Sequence, residues 1–224
     1  MISIIKQVVK IGGSLFPNHA ITLADKLKNT GSCIILGGGE FANLIRKYDD
    51  EVSFSQKTNH WTAIDCMDII AKLVNDKVES AKLAFSIDEV NDISDDGFTP
   101  IFVVSEFLRK EDPFECSWDV TSDSIAAYVA NILNANLFIV TNVNGIYTQE
   151  PKEPGSTFIS KIDAKTLLTF QESSIDVMLP SLLLEFGTDC YVVNGKYPER
   201  VLSLIDDNEN HYNFNYTKII GDLR

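Results

Sequence analysis

The chain has 224 residues, 45% of them hydrophobic and 23% charged, with a net charge of −13. This suits a single α/β domain over 1–224 with a sizeable core. It excludes nucleic acid and anionic membranes as partners, since both demand a basic face.

In chain order, the first predicted element is an apolar strand over 7–11 that runs into Lys10-Ile11-Gly12-Gly13-Ser14. A lysine on a strand of buried type needs an anionic partner. Glycines let backbone N–H groups approach an anion without a Cβ in the way. A helix over 19–28 leads to a second strand over 33–36, which ends in Gly37-Gly38-Gly39 before a helix over 40–48. An amide nest that opens a helix favours negative charge. Two such nests predict two anions held close together, with Lys10 as the mobile cation between them. The plain alternative is a pair of tight βα turns. Gly37 to Ala42 also satisfies a dinucleotide fingerprint, but the acidic residue expected at the end of the following strand is missing.

A long helix over 58–75 begins at Asn59-His60-Trp61, where His60 reads as a packing residue. Strands follow over 83–86 and 101–104, with residues 91–100 as a polar, turn-rich loop. Trp118-Asp119-Val120-Thr121-Ser122-Asp123-Ser124 precedes the apolar stretch 125–133 of a helix predicted over 121–133. One capping residue would suffice there, so the excess of polar groups predicts a second duty beside capping, with Asp123 orienting Lys10 or helping to hold Mg2+. A strand over 137–141 ends in Thr141-Asn142-Val143-Asn144-Gly145-Ile146-Tyr147, a turn with an aromatic that suits a nucleoside. Helices over 163–170, 176–186 and 198–206, a strand over 190–193, a polar loop over 206–215 and a last strand over 216–220 at an edge complete the pattern. Repeated βα units imply a mainly parallel sheet between helical layers, with ligands at one edge of the strands.

The four cysteines show no ligand spacing and are read as reduced thiols of a cytoplasmic protein. No apolar run approaches a membrane span, and the first residues lack a signal-peptide pattern. If the ligands are phosphates, the global field repels them. Backbone amides, Lys10 and Mg2+ carried in with a nucleotide then overcome it locally.

Taken together and in this order, residues 10–14, 37–39, 121–124 and 141–148 with Glu150-Pro151 resemble the amino acid kinase family. That family includes carbamate, acetylglutamate, aspartate, uridylate and isopentenyl phosphate kinases. The resemblance covers nearly the whole chain. It implies a three-layer α/β/α sandwich, ATP over the C-terminal half, an acceptor over the N-terminal half, and a homo-oligomer. It implies that Lys10 touches the transferring phosphoryl group and that Asp123 organises this lysine. Gly12, Gly13, Ser14 and Gly39 would meet ATP phosphates, and Thr141, Asn142, Tyr147 and Glu150 the nucleoside side. Gly37, Gly38, Asn59, Trp118, Thr121 and Ser122 would hold the acceptor, with Trp61 and Trp118 as aromatic walls.

Within the family, Leu36 to Asn43, His60-Trp61 and Ser117 to Ser124 look most like a small branch of methanofuran biosynthesis. That branch phosphorylates an aminomethylfuran phosphomonoester to a diphosphate. Uridylate-like or isopentenyl-phosphate-like kinases, a non-catalytic nucleotide-binding or storage protein, and a dinucleotide oxidoreductase are the alternatives. Ser181 stands where many family members carry a second lysine, which implies either that Lys161, Lys165 or Mg2+ supplies the missing charge or that the chain is slow. Lys10→Ala is expected to abolish turnover with the fold intact.

Overall fold

The computed structural model describes residues 5–149, 151–170, 174–206 and 212–221. Its strands are β1 (Gln7–Ile11), β2 (Ser32–Leu36), β3 (Ala81–Ala84), β4 (Thr99–Phe102), β5 (Asn136–Thr141), β6 (Ile146–Tyr147), β7 (Phe158–Ile159), β8 (Lys161–Asp163), β9 (Cys190–Asn194) and β10 (Thr217–Ile220). Its helices are α1 (Asn18–Lys26), α2 (Gly39–Val52), α3 (Gln56–Asn75), α4 (Ile87–Asp95), α5 (Ser105–Glu111), α6 (Ser122–Leu133), α7 (Ala164–Leu167), α8 (Leu179–Phe186) and α9 (Pro198–Ile205).

Eight strands form one sheet in the order β3-β4-β2-β1-β5-β9-β10-β8. All pairings are parallel except β9 with β10. Strand β1 lies in register between β2 and β5, so the loops after all three strands emerge together. Every residue of β1 and β2 is buried, as expected of strands covered on both faces. Side chains alternate between the two faces. Val8, Cys33, Ile35, Leu137 and Ile139 pack on the side of α6 and α8. Val9, Ile11, Ile34, Leu36, Phe138 and Val140 pack on the side of α1 and α9. The same alternation sends Lys10, two residues after Val8, toward α6.

The expected three layers and mainly parallel sheet are present. Several boundaries differ for local reasons. The strand expected over 83–86 is shifted to Ala81–Ala84, because the Ser86 side chain caps α4 by accepting from Glu89 N–H at 3.2 Å. Most of the loop expected over 91–100 is the second half of α4 and the start of β4. Helix α8 starts at Leu179 rather than 176, because Leu179 N–H donates to the Asp176 carboxylate at 2.8 Å. The β6–β7 hairpin, β8 and α5 were not expected. The outer strand at that edge is β8, with β10 inside it. The polar loop over 206–215 falls partly outside the described residues. Cys33, Cys66 and Cys190 are buried free thiols and Cys116 is half-buried; burial pushes the Cys33 thiol up to about 12. Among the described residues no helix is long and apolar enough to cross a membrane.

Candidate active site

The glycine loops after β1 and β2 lie against each other. Gly12 N–H donates to Val140 O at 2.8 Å, and Gly37 N–H to Ile11 O at 2.9 Å, so both loops leave the sheet as continuations of its ladder. A methyl group on Gly13 would fall 2.2 Å from the backbone of Gly39, and one on Gly37 would fall 2.7 Å from Gly13 N. No side chain fits between the loops. Gly39 has φ +53, a left-handed conformation that lets the chain turn from β2 into α2. A methyl on Gly12 would lie 3.7 Å from Lys10 Nζ, which places the ammonium over the first loop.

Lys10 Nζ is 2.7 Å from Asp123 Oδ1, and both side chains are at most a tenth exposed. Asp123 sits in the first turn of α6, whose cap is Thr121. Its other oxygen, Oδ2, accepts from Asp176 N–H at 3.1 Å. The Asp176 carboxylate accepts in turn from Thr121 N–H (3.0 Å) and Oγ1–H (2.9 Å), Ser124 N–H (2.9 Å) and Oγ–H (2.6 Å), and Leu179 N–H. One carboxylate thus joins the N-termini of α6 and α8 and backs the residue that holds Lys10. Burial, and next the Asp123 charge, raise Asp176 above the usual carboxylate range. Sequence reasoning missed Asp176. It reads as an ordinary helix-starting aspartate, and only the tertiary fold brings 121–124 to it.

Two cavities open beside these loops. The first, about 270 Å³, is lined by Gly13, Ser14, Gly37, Gly38, Gly39, Trp118, Thr121 and Ser122, with Glu40, Arg46, Ala63, Ile64 and Met67. The second, about 530 Å³, is lined by Thr141, Asn142, Tyr147, Ser174, Lys152 and Lys196. The expected acceptor and nucleoside residues therefore separate onto two neighbouring sites, with three exceptions. Asn59 is buried and lines neither cavity, and its Oδ1 has no hydrogen-bond partner among the described residues. Glu150 lies outside the described residues. Trp61 lines neither cavity; it packs edge-on against His60, whose Nδ1 lies 3.2 Å from Ser117 O. Trp118 is fixed by its indole N–H, which donates to Asp49 at 3.0 Å.

Lys161, Lys165 and Ser181 are exposed and line neither cavity. The cations of the second cavity are instead Lys152 and Lys196. Lys196 follows β9, and its N–H donates to Asn194 Oδ1 at 3.0 Å. Its place just past a strand end of the parallel sheet was the available signal. Among the described residues no group of three or more His, Cys, Asp and Glu is arranged to hold a metal ion.

A mainly parallel sheet with two touching glycine loops at its strand ends is the arrangement that the sequence resemblance implies, and comparison with known proteins agrees. Residues 6–194 match the model of the amino acid kinase family; the chain belongs to that family. It is 36% identical over 222 residues to the [5-(aminomethyl)furan-3-yl]methyl phosphate kinase of Methanocaldococcus jannaschii, covering 96% of this chain and 98% of that one. It is 28% identical over 173 residues to the uridylate kinase of Methanopyrus kandleri, covering 72% of each. Among solved structures, the UMP kinase of Ureaplasma parvum superposes with a TM-score of 0.70 at 18% identity, covering 97% of this chain and 99% of that one. Family membership sets aside the dinucleotide oxidoreductase.

Proposed function

We propose that this chain is an ATP-dependent kinase that converts a small phosphomonoester to a diphosphate, with [5-(aminomethyl)furan-3-yl]methyl phosphate as the acceptor. The observation that carries this reading is the contact between the two glycine nests beneath one ion-paired ammonium. Two phosphate groups seated on touching nests meet with their reacting oxygens close, and Lys10 lies at the junction. An ionised acceptor phosphate is already nucleophilic and needs no general base. Catalysis is then positioning plus charge neutralisation.

In this reading Gly12, Gly13, Ser14 and Gly39 donate to ATP phosphates, and Thr141, Asn142, Tyr147 and Glu150 face the nucleoside in the larger cavity. Gly37, Gly38, Trp118, Thr121 and Ser122 hold the acceptor in the smaller one, with Asn59 behind them. Lys152 and Lys196 supply cationic charge on the nucleotide side, where Ser181 does not. The two carboxylates behind the glycine loops are committed, Asp123 to Lys10 and Asp176 to amide and hydroxyl donors. That fits Mg2+ held chiefly by the nucleotide; when bound, it supplies further neutralisation of the phosphates. The chain works as one domain, in the cytoplasm, as a homo-oligomer. The last point is supported by an exposed apolar stripe on α2, formed by Phe41, Leu44, Tyr48 and Val52. Residues four or so apart share one helix face, and α2 buries none of its residues.

The 36% identity over nearly the whole of both chains favours the aminomethylfuran acceptor over UMP or isopentenyl phosphate. Coupled ADP release, measured side by side with these three acceptors, tests the proposal. Preferred turnover of the furan phosphate is expected. ATP binding without turnover of any of them would leave a nucleotide-binding protein instead.

A further inference from the structure

Glu40 is out of place in an anion site. It follows Gly39 directly, in the first turn of α2, and lines the smaller cavity whose glycine amides attract phosphate. Its carboxylate would repel the very group those amides hold. A favourable interaction with the helix dipole accounts for an acidic residue in a first turn. It does not account for one on the rim of a phosphate pocket. Among the described residues Glu40 has no ion-pair partner, and its one hydrogen bond is a long one, from Asn43 Nδ2 at 3.3 Å. The other charged residue lining this cavity, Arg46, stacks on the Trp118 ring of the same cavity, its guanidinium 4.6 Å from the ring centre, and forms no ion pair with Glu40 among the described residues. Ala63, Ile64 and Met67 of α3 and the Trp118 ring give the same cavity an apolar lining.

We propose that Glu40 binds a protonated amine on the acceptor, so that this cavity selects small phosphomonoesters carrying a cationic arm over those with a neutral one. This rests on the phosphomonoester-kinase reading above and deepens it. The phosphate sits on the glycine amides, a flat ring lies along the apolar wall, and the ammonium bridges to the carboxylate. The cation between Glu40 and the phosphate relieves the repulsion that an uncharged acceptor would leave in place. Glu40 is thus a specificity residue that takes no part in the transfer.

The test is steady-state kinetics of the wild type and Glu40→Gln with two acceptors that differ only in the arm. One is [5-(aminomethyl)furan-3-yl]methyl phosphate, and the other carries methyl in place of aminomethyl. A charge-assisted hydrogen bond predicts that the wild type prefers the amine by about 10- to 100-fold in kcat/KM. Glu40→Gln should collapse that preference to near unity through KM for the amine acceptor. A preference that survives the substitution overturns the inference. So does an effect that falls instead on KM for ATP or on the Mg2+ requirement, since Glu40 would then serve the nucleotide. If the wild type itself turns over neither acceptor, the phosphomonoester reading fails and takes this inference with it.

Discussion

An ammonium on a buried strand must be neutralised from within the protein, and Asp123 does so at 2.7 Å. In the proposed reaction the pair couples stability to catalysis, which changes what removal of Lys10 does. Lys10→Ala was expected to leave the fold intact. With the pair buried, any neutral residue at this position leaves the Asp123 charge without a counterion, at a cost of about 3–5 kcal/mol. Lys10→Met should therefore lose both turnover and stability. The double variant Lys10→Met with Asp123→Asn carries no unpaired charge. It should recover most of the stability and remain inactive. Thermal melts paired with ADP-release assays separate the two effects. Activity in the double variant would remove Lys10 from the transfer step.

Asp176 acts between elements rather than within one. Five donors from the starts of α6 and α8 converge on its carboxylate, so the two helices hold a common register behind Asp123. Burial and the Asp123 charge raise its proton affinity in the folded state above the ordinary 3.8. The stability tied to this titration is full below that ordinary value and is lost as pH rises through the raised native one. Asp176→Asn removes the titration and replaces half of the acceptor with an amide that donates. It should cost about 2 kcal/mol. The lead of the wild type over this variant should narrow as pH rises from about 3 to about 7. Urea melts across that range measure it, and a lead that widens toward neutrality contradicts a raised native value. The helices missed in the sequence, α4 and α5, owe their formation to the same kind of influence. Ile87 and Val90 mark an apolar face, but the acidic residues around them give the segment the composition of a loop, and packing against β3 and β4 decides the outcome.

For the whole molecule, the net charge of −13 and the anionic ligands pull in opposite directions. The fold places Lys10 over the first glycine loop and Lys152 and Lys196 in the second cavity, local cations set against that global charge. The stripe of Phe41, Leu44, Tyr48 and Val52 lies on α2, which also lines the acceptor cavity through Glu40 and Arg46. A second copy packed on this stripe would brace that wall. Leu44→Glu combined with Val52→Glu should shift the protein to monomers in light scattering and raise KM for the acceptor. An unchanged mass would show that α2 is not the contact between copies.

Sequence alone determined which segments are central strands, that glycine clusters follow the first two of them with Lys10 on the first, and that Asp123 begins a helix. Those features are local: uninterrupted apolar runs, residues without a Cβ, and capping groups declare themselves within a few positions. Tertiary structure decided that the two glycine loops touch, that Asp176 stands behind Asp123, and that Lys196 rather than Lys161 or Lys165 lines the second cavity. It also decided that Trp118 lines the first cavity while Trp61 does not. Each of these joins residues far apart in the chain, and the parallel order of the strands, a property of the sheet and of no single segment, is what brings them together.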